Sequence, residues 1–94
     1  MILPIANKIR FFGSTECKNC LSVLVWLTRE KIPFDYIDAF DDDEAIQSLC
    51  DKYNVDDLPH IQFLNKGGEV VFEHLGPVDG ETFLAYIKEY LPNY

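Results

Sequence analysis

Two closely spaced cysteines are the side chains of this 94-residue chain best suited to chemistry. They bound the segment Cys-Lys-Asn-Cys at 17–20, which follows a turn-like stretch at 13–16 and opens a helical pattern over 21–30. Two thiols at this spacing at the start of a helix lie on one face, about one turn from each other. They can close a small disulfide ring or open to a dithiol, so the spacing predicts redox chemistry.

The position at a helix amino-terminus gives the two cysteines different roles. Unpaired N–H groups and the positive end of the helix dipole stabilise a thiolate there. We therefore expect the pKa of the Cys17 thiol to lie below that of free cysteine. As a hypothesis, Cys17 is the exposed, attacking thiolate, and Cys20 is the more buried thiol that resolves the mixed disulfide. Lys18 favours the thiolate and Glu16 opposes it, but solvent screens both charges. The direction of electron flow stays open.

The composition predicts one small globular domain spanning residues 1–94. Apolar residues make up 48% of the chain, enough for one packed core. Three cysteines are an odd number, which fits a cytoplasmic protein better than a secreted disulfide scaffold. No apolar run approaches the roughly 20 residues of a membrane span, and the short apolar start at 1–6 lacks the basic leader of a signal peptide. We therefore expect a cytoplasmic monomer with no membrane partner.

The charge of the chain is strongly negative. A formal net charge of −8 argues against nucleic acid as a partner, because phosphate contacts need clustered Lys and Arg. The acidic residues concentrate at 41–44 and again at Asp51, Asp56 and Asp57. They can form a solvated surface with helix caps, or a surface that selects a basic protein partner. The sequence leaves both interpretations open.

The apolar patterning predicts an α/β protein with the order β-α-β-α-β-β-α. We expect strands at 8–13, 34–38, 61–64 and 70–74, and helices from 17 or 18 to about 31, after Asp42 or Asp43, and after Asp79. The helix joining the first two strands makes them parallel, and the turn at 65–68 makes the last two an antiparallel hairpin. One mixed four-stranded sheet flanked by three helices follows. The predicted inward positions of the last two helices are Ile46, Leu49, Cys50, Tyr53, Phe83, Leu84, Ile87, Tyr90 and Leu91.

This order, with the CxxC segment at the first strand-to-helix turn, resembles the thioredoxin fold over about 8–91. The length resembles that of glutaredoxins. A second motif, Leu58-Pro59 at the start of a strand, matches the place where the family has a cis-proline facing the CxxC. The segments at 50–55 and 76–80 resemble thioredoxins more closely. The resemblance implies a thiol-disulfide oxidoreductase of cellular redox homeostasis. It would reduce protein disulfides through a redox-active Cys17–Cys20 pair, without a bound cofactor.

The resemblance also implies a substrate-binding surface. Leu58 would pair its backbone N–H and C=O with an extended substrate segment, beside Pro59, which cannot donate a hydrogen bond. Gly76, before the last helix, and Thr15 and Lys18, beside the cysteines, complete the implied substrate-binding residues. The electron source would be a reductase or glutathione.

Several positions depart from the family pattern. Phe11 stands where thioredoxins have a buried acid, and Glu16 replaces the tryptophan before the first cysteine. Lys18 and Asn19 replace the Pro-Tyr pair of glutaredoxins, and Ser14 stands where glutaredoxins have a basic residue that helps to bind glutathione. The chain is therefore expected to be of glutaredoxin size but closer to a small thioredoxin in behaviour.

Alternatives from other classes remain open. The domain could be a non-catalytic thioredoxin-like adaptor whose acidic face binds a partner, or the CxxC could carry a metal or an iron–sulfur cluster. A zinc site built from Cys17, Cys20 and His60 lacks a fourth ligand. His60 is otherwise a strand residue with a partnered imidazole or a proton acceptor beside the dithiol. We expect Cys50 to be a buried inert thiol, and we expect His74 and Trp26 to have structural roles in a strand and in the core.

Overall fold

The computed structural model describes residues 5–91, which form seven elements in the predicted order. Residues 1–4 of the apolar amino-terminal segment lie outside the described residues. The elements are β1 Lys8–Gly13, α1 Lys18–Arg29, β2 Phe34–Asp38, α2 Glu44–Lys52, β3 His60–Leu64, β4 Val70–Leu75 and α3 Gly80–Tyr90.

The four strands form one mixed sheet in the order β2-β1-β3-β4. β1 runs parallel to β2 and antiparallel to β3, and β3 and β4 form the antiparallel hairpin. The register places Phe11 opposite Tyr36 and Phe12 opposite His60. The predicted α/β class and mixed sheet are confirmed.

The main core lies on the face of the sheet that carries Phe11. Alternate strand residues point to the same side, so Ile9 joins Phe11 on this face. α1 and α3 cover this face with side chains at helical spacing, such as Val23 and Leu27, and Phe83 and Ile87. Fully burying each large apolar side chain stabilises the fold by about 1.5–3 kcal/mol. The buried cluster comprises Ala6, Ile9, Phe11, Cys20, Val23, Leu27, Ile32, Ile61, Phe63, Phe83, Ile87 and Leu91.

The opposite face of the sheet carries an unusual row of polar side chains. Arg10 donates to Gln62 at 2.9 Å, and Gln62 donates to Glu73 at 3.1 Å. His60 joins the row through Nε2, 2.6 Å from the same carboxylate oxygen of Glu73. Tyr53, which caps the end of α2, packs its ring 5.5 Å from the Arg10 guanidinium. The row uses three adjacent strands and therefore depends on their register.

Some boundaries and one inward position differ from the sequence-based expectations. α1 ends at Arg29, because Glu30 caps the helix and Lys31 adopts a positive φ of 57°. The prediction that Leu84 faces inward is wrong, since 39% of its surface is exposed. Phe83 and Ile87 already face the sheet, and a helix of this length covers the core with one stripe only.

The helices of the described chain are too short or too polar to span a membrane. Within residues 5–91 no helix has both the length and the apolar character needed to cross a bilayer.

Candidate active site at the Cys17–Cys20 disulfide

Cys17 and Cys20 are joined in a disulfide at the start of α1, with their Cα atoms 5.2 Å apart. Cys17 is the N-cap residue of this helix: its backbone is extended and its Sγ accepts the Cys20 N–H at 3.2 Å. Its carbonyl accepts the first helical bond, from the Leu21 N–H at 3.1 Å. The sulfur thus takes the place that a Ser or Asp oxygen has in most helix caps.

Ser14 shapes the turn that brings Cys17 to the helix. Its carbonyl accepts the Cys17 N–H at 3.2 Å, and its Oγ accepts the Glu16 N–H at 3.2 Å. Ser14 is buried. The turn predicted at 13–16 is present, and the hydrogen bonds of Ser14 within it are typical of serine just before a helix.

The two sulfurs lie in different environments. Cys20 is fully buried in the main core, whereas Cys17 is half-buried at the helix mouth. The first turn of α1 has no acidic residue. In the reduced protein, we expect the Cys20 N–H and the helix dipole to favour the anionic form of Cys17. The arrangement suits an accessible nucleophile backed by a buried second thiol.

The strand register brings the Leu58-Pro59 segment to the same edge of the sheet as the disulfide. β1 ends at Gly13, four residues before Cys17, and β3 starts at His60 opposite Phe12. The Leu58–Pro59 peptide bond is cis, as the resemblance implied. The loops that hold the disulfide and the proline are therefore neighbours.

Gly76 joins this edge from β4. Leu75 lies opposite His60, and the Gly76 N–H donates to the Pro59 carbonyl at 2.9 Å. Gly76 has a positive φ of 87°, which favours glycine, and an added Cβ would meet no atom within 4 Å. The glycine is required by backbone conformation and not by lack of space.

The backbone of Leu58 is available for a further partner. Within residues 5–91, neither its N–H nor its C=O forms a hydrogen bond, although its side chain is half-buried against the core. Thr15 and Lys18 lie beside Cys17 with exposed side chains. The structure thus brings all the sequence-predicted site residues to one edge, and their contacts with a substrate stay a prediction.

Behind the disulfide, the core offers no carboxylate at the position that the family uses. Phe11 is fully buried there, with its ring edge-on to Tyr36 at 5.3 Å. The Tyr36 hydroxyl is buried without a partner among the described residues. Burial, helped by the Asp38 charge, raises the pKa of this hydroxyl above its usual range. The strand neighbour of Phe11 therefore contributes a buried, neutral phenol, the hydroxyl of Tyr36.

His60 lies on the other face of the sheet from Cys20. It is 1% exposed, packs edge-on to Phe12 at 5.4 Å and is paired through Nε2 with Glu73. Burial raises the pKa of the Glu73 carboxyl, but hydrogen bonds from His60 and Gln62 and the His60 charge outweigh it and hold that pKa below its ordinary value. The geometry favours a structural His60. The row of polar side chains was missed from the sequence, although their alternation along β1 and β3 was visible.

Cys50, Trp26 and His74 are held by packing or by hydrogen bonds within the fold. Cys50 is buried on α2, and Trp26 packs against Phe83 with ring centroids 5.9 Å apart. His74 is held by Tyr86 and by the Pro77 carbonyl, each at 3.1 Å. Among residues 5–91 no three His, Cys, Asp or Glu side chains are grouped closely enough to hold a metal ion.

Comparison with known proteins supports the fold. No protein-family model and no curated sequence matches the chain. Thioredoxin 1 of Thermosipho africanus superposes with a TM-score of 0.69 at 18% identity, over 90% of this chain and 94% of that one. Thioredoxin f2 of Chlamydomonas reinhardtii gives 0.72 at 16% identity, over 96% and 84%. The thioredoxin of Plasmodium falciparum gives 0.67 at 17% identity, over 95% and 99%. The chain therefore has the thioredoxin fold, with a CxxC pair at the amino-terminus of its first helix.

Proposed function

We propose that this protein is a thiol-disulfide oxidoreductase that reduces disulfides in other proteins through Cys17 and Cys20. The observation that carries this proposal is the position of the Cys17 sulfur. It caps α1, accepts the Cys20 N–H and lies within bonding reach of a second, buried sulfur. A structural disulfide needs neither the helix cap nor the difference in exposure.

The reaction has two exchange steps. In the dithiol form, the Cys17 thiolate attacks one sulfur of the substrate disulfide, which releases the other substrate sulfur as a thiolate. Cys20 then loses its proton and attacks the Cys17 sulfur of the mixed disulfide, which releases the second substrate thiolate. Two electrons pass to the substrate, two protons follow to its thiols, and the protein returns to the Cys17–Cys20 disulfide.

The substrate segment lies along Leu58 in this proposal. The free N–H and C=O of Leu58 support pairing with an extended chain, in the manner of strand addition. Thr15 and Lys18, beside Cys17, and Gly76, beside Pro59, border the path of such a segment. This orientation places a substrate sulfur next to Cys17, where the first exchange begins.

The electrons come from a thioredoxin-type reductase rather than from glutathione in this proposal, and the reaction takes place in the cytoplasm. Glutathione carries two carboxylates, and the residues just before Cys17 offer Glu16 but no Lys or Arg, so Lys18 is the one adjacent cation that could receive them. Coupling the protein to thioredoxin reductase and, separately, to glutathione with glutathione reductase distinguishes the two sources. Turnover with glutathione alone would contradict this part of the proposal.

Insulin reduction by dithiothreitol tests the function as a whole. The wild-type protein should accelerate precipitation of the reduced insulin chain, and Cys17→Ser should abolish the acceleration. Cys20→Ser should instead accumulate a mixed disulfide with insulin, detectable by mass spectrometry. Cys50→Ala is the matched control, because this third thiol is buried away from the pair, and it should retain activity. A rate no higher than the dithiothreitol background would favour the non-catalytic adaptor.

A further inference from the structure

The edge of the sheet that holds the disulfide also leaves large apolar side chains uncovered. Leu21 lies one turn after Cys17 and is 45% exposed. Phe40 follows the end of β2 and is 73% exposed, and Leu75 ends β4 beside Gly76 and is 56% exposed. Phe40 follows one outer strand of the sheet, Leu75 ends the other and Leu21 lies on α1, so the three are separate exposed apolar contact points at this edge rather than one patch.

Acidic side chains line the same edge. Four loops meet there, at 14–17, 38–43, 56–59 and 76–79. They carry eight of the sixteen Asp and Glu residues of the chain and no Lys, Arg or His. The pKa of Asp79 is held below its ordinary value by hydrogen bonds from the Thr82 N–H and hydroxyl, which keeps it anionic. The eight residues are Glu16, Asp38, Asp41, Asp42, Asp43, Asp56, Asp57 and Asp79.

One cation, Lys18, lies beside Cys17, and the other Lys and Arg residues lie toward the opposite end of the sheet. Lys8 begins β1, and Lys66 lies in the turn between β3 and β4. Arg10 and Lys52 flank the Tyr53 ring at 5.5 and 5.3 Å from its centroid. The charge is therefore polarised along the strands, with the negative end at the disulfide.

From this arrangement we infer that the protein acts selectively on disulfides carried by basic polypeptide segments. Lys or Arg side chains that flank the substrate disulfide face the acidic loops, and apolar residues further along the segment contact Phe40, Leu75 or Leu21. The inference rests on the proposed function and names its substrate class. Charge complementarity identifies the occupant, since an acidic or small anionic disulfide is repelled from the same edge.

The expected effect is mainly on the rate of encounter. Charges beside the disulfide act within the Debye length of about 8 Å at physiological salt, and such steering raises association rates by roughly 10–10³-fold. Because the acidic side chains are mostly exposed, we expect about a tenfold preference at low ionic strength. High salt should remove most of it.

Three disulfide peptides of identical length and apolar content, flanked by Lys, by Ser or by Glu, test the inference. The reduced wild-type protein is mixed with each peptide at 20 and 500 mM NaCl, and the second-order rate of thiol release is measured by stopped flow. The Lys peptide should react about tenfold faster than the Ser peptide at low salt, the Glu peptide should be slowest, and the three rates should converge at high salt.

Two charge-matched variants locate the effect. Asp56→Asn with Asp57→Asn should reduce the preference for the Lys peptide at low salt by several-fold. Glu30→Gln with Glu89→Gln removes the same charge near the far ends of α1 and α3 and should leave the preference unchanged. Equal rates for the three peptides, or equal losses in both variants, would overturn the inference and leave the proposed function intact. A protein that reacts with none of the peptides would overturn both.

Discussion

Cys17 is both the cap of a helix and one half of a disulfide, and these two roles define its chemistry. The Cys20 N–H that its sulfur accepts in the disulfide is positioned to stabilise a thiolate at Cys17, and we expect it to do so after reduction. Cys50 provides a contrast within the same chain, because burial, with a smaller contribution from the Asp51 charge, raises the pKa of its thiol. We therefore expect the same chemical group to be activated at Cys17 and suppressed at Cys50.

The thiols of the reduced protein should therefore titrate in a definite order. We expect Cys17 to have a pKa below that of free cysteine and Cys50 to have one above it. Alkylation by iodoacetamide as a function of pH, read for each cysteine by mass spectrometry, measures this order. Cys50→Ala removes the third thiol as a control. A Cys17 that titrates like a free cysteine would contradict the helix-cap argument.

Gly76 is a second residue whose backbone conformation should have a measurable effect, here on the free energy of unfolding. Because its φ is 87°, Gly76→Ala forces an L side chain into the left-handed region and should lower the free energy of unfolding by about 1–2 kcal/mol. Gly67→Ala is the matched control. Gly67 lacks a positive φ, and an added Cβ would meet its nearest atom at 3.5 Å, an ordinary contact. Urea unfolding compares the two, and equal losses would show that φ is not the cause.

At the scale of elements, α3 depends on Asp79 for its first turn. The Asp79 carboxylate accepts the Thr82 N–H at 2.7 Å, and this bond, with the Thr82 hydroxyl, lowers the pKa of Asp79. A carboxyl with a lowered pKa in the folded state contributes stability above its ordinary pKa of about 3.9 and loses it as the pH falls through the folded value.

Asp79→Asn separates the charge from the cap, because Asn keeps an acceptor oxygen but does not titrate. The wild-type protein should be more stable than this variant at pH 7, and the difference should shrink below about pH 4. Thermal unfolding across this pH range measures it. Asp42→Asn makes the same charge change without a helix cap and should show a smaller difference. A difference that is constant with pH would indicate that the charge of Asp79 has no role.

The elements themselves followed from short-range signals. Strand alternation, the Gly67-Gly68 turn and the caps Asp43 and Asp79 sufficed for the order and for most boundaries, since these features depend on neighbours in sequence. The pairing of His60 with Glu73 could not be predicted, because it depends on the register between two strands. The exposure of Leu84 likewise depends on how α3 rests on the sheet. The gathering of the site residues was predicted only through the family resemblance.

At the scale of the whole molecule, the net charge of −8 is distributed in a way that opposes folding. Half of the acidic residues meet at one edge, and few are neutralised by a nearby cation. Within residues 5–91, Lys8 with Asp35 at 3.0 Å is the one close Lys or Arg pair with a carboxylate. Repulsion among the acidic loops should therefore exceed the attraction that ion pairs supply.

Added salt should consequently stabilise this protein, because it screens the repulsion more than it weakens one exposed ion pair. We expect the melting temperature to rise between 20 and 500 mM NaCl by roughly 4–8 °C, the equivalent of about 1 kcal/mol in a domain of this size. Differential scanning calorimetry of the oxidised protein measures this rise. Asp56→Asn with Asp57→Asn should recover part of it at low salt. Glu30→Gln with Glu89→Gln should recover less, because these two carboxylates already have cations next to them in sequence. Glu30 lies between Arg29 and Lys31, and Glu89 follows Lys88. A melting temperature that falls with salt would mean that ion pairs, and not repulsion at the disulfide edge, dominate the electrostatics of the fold.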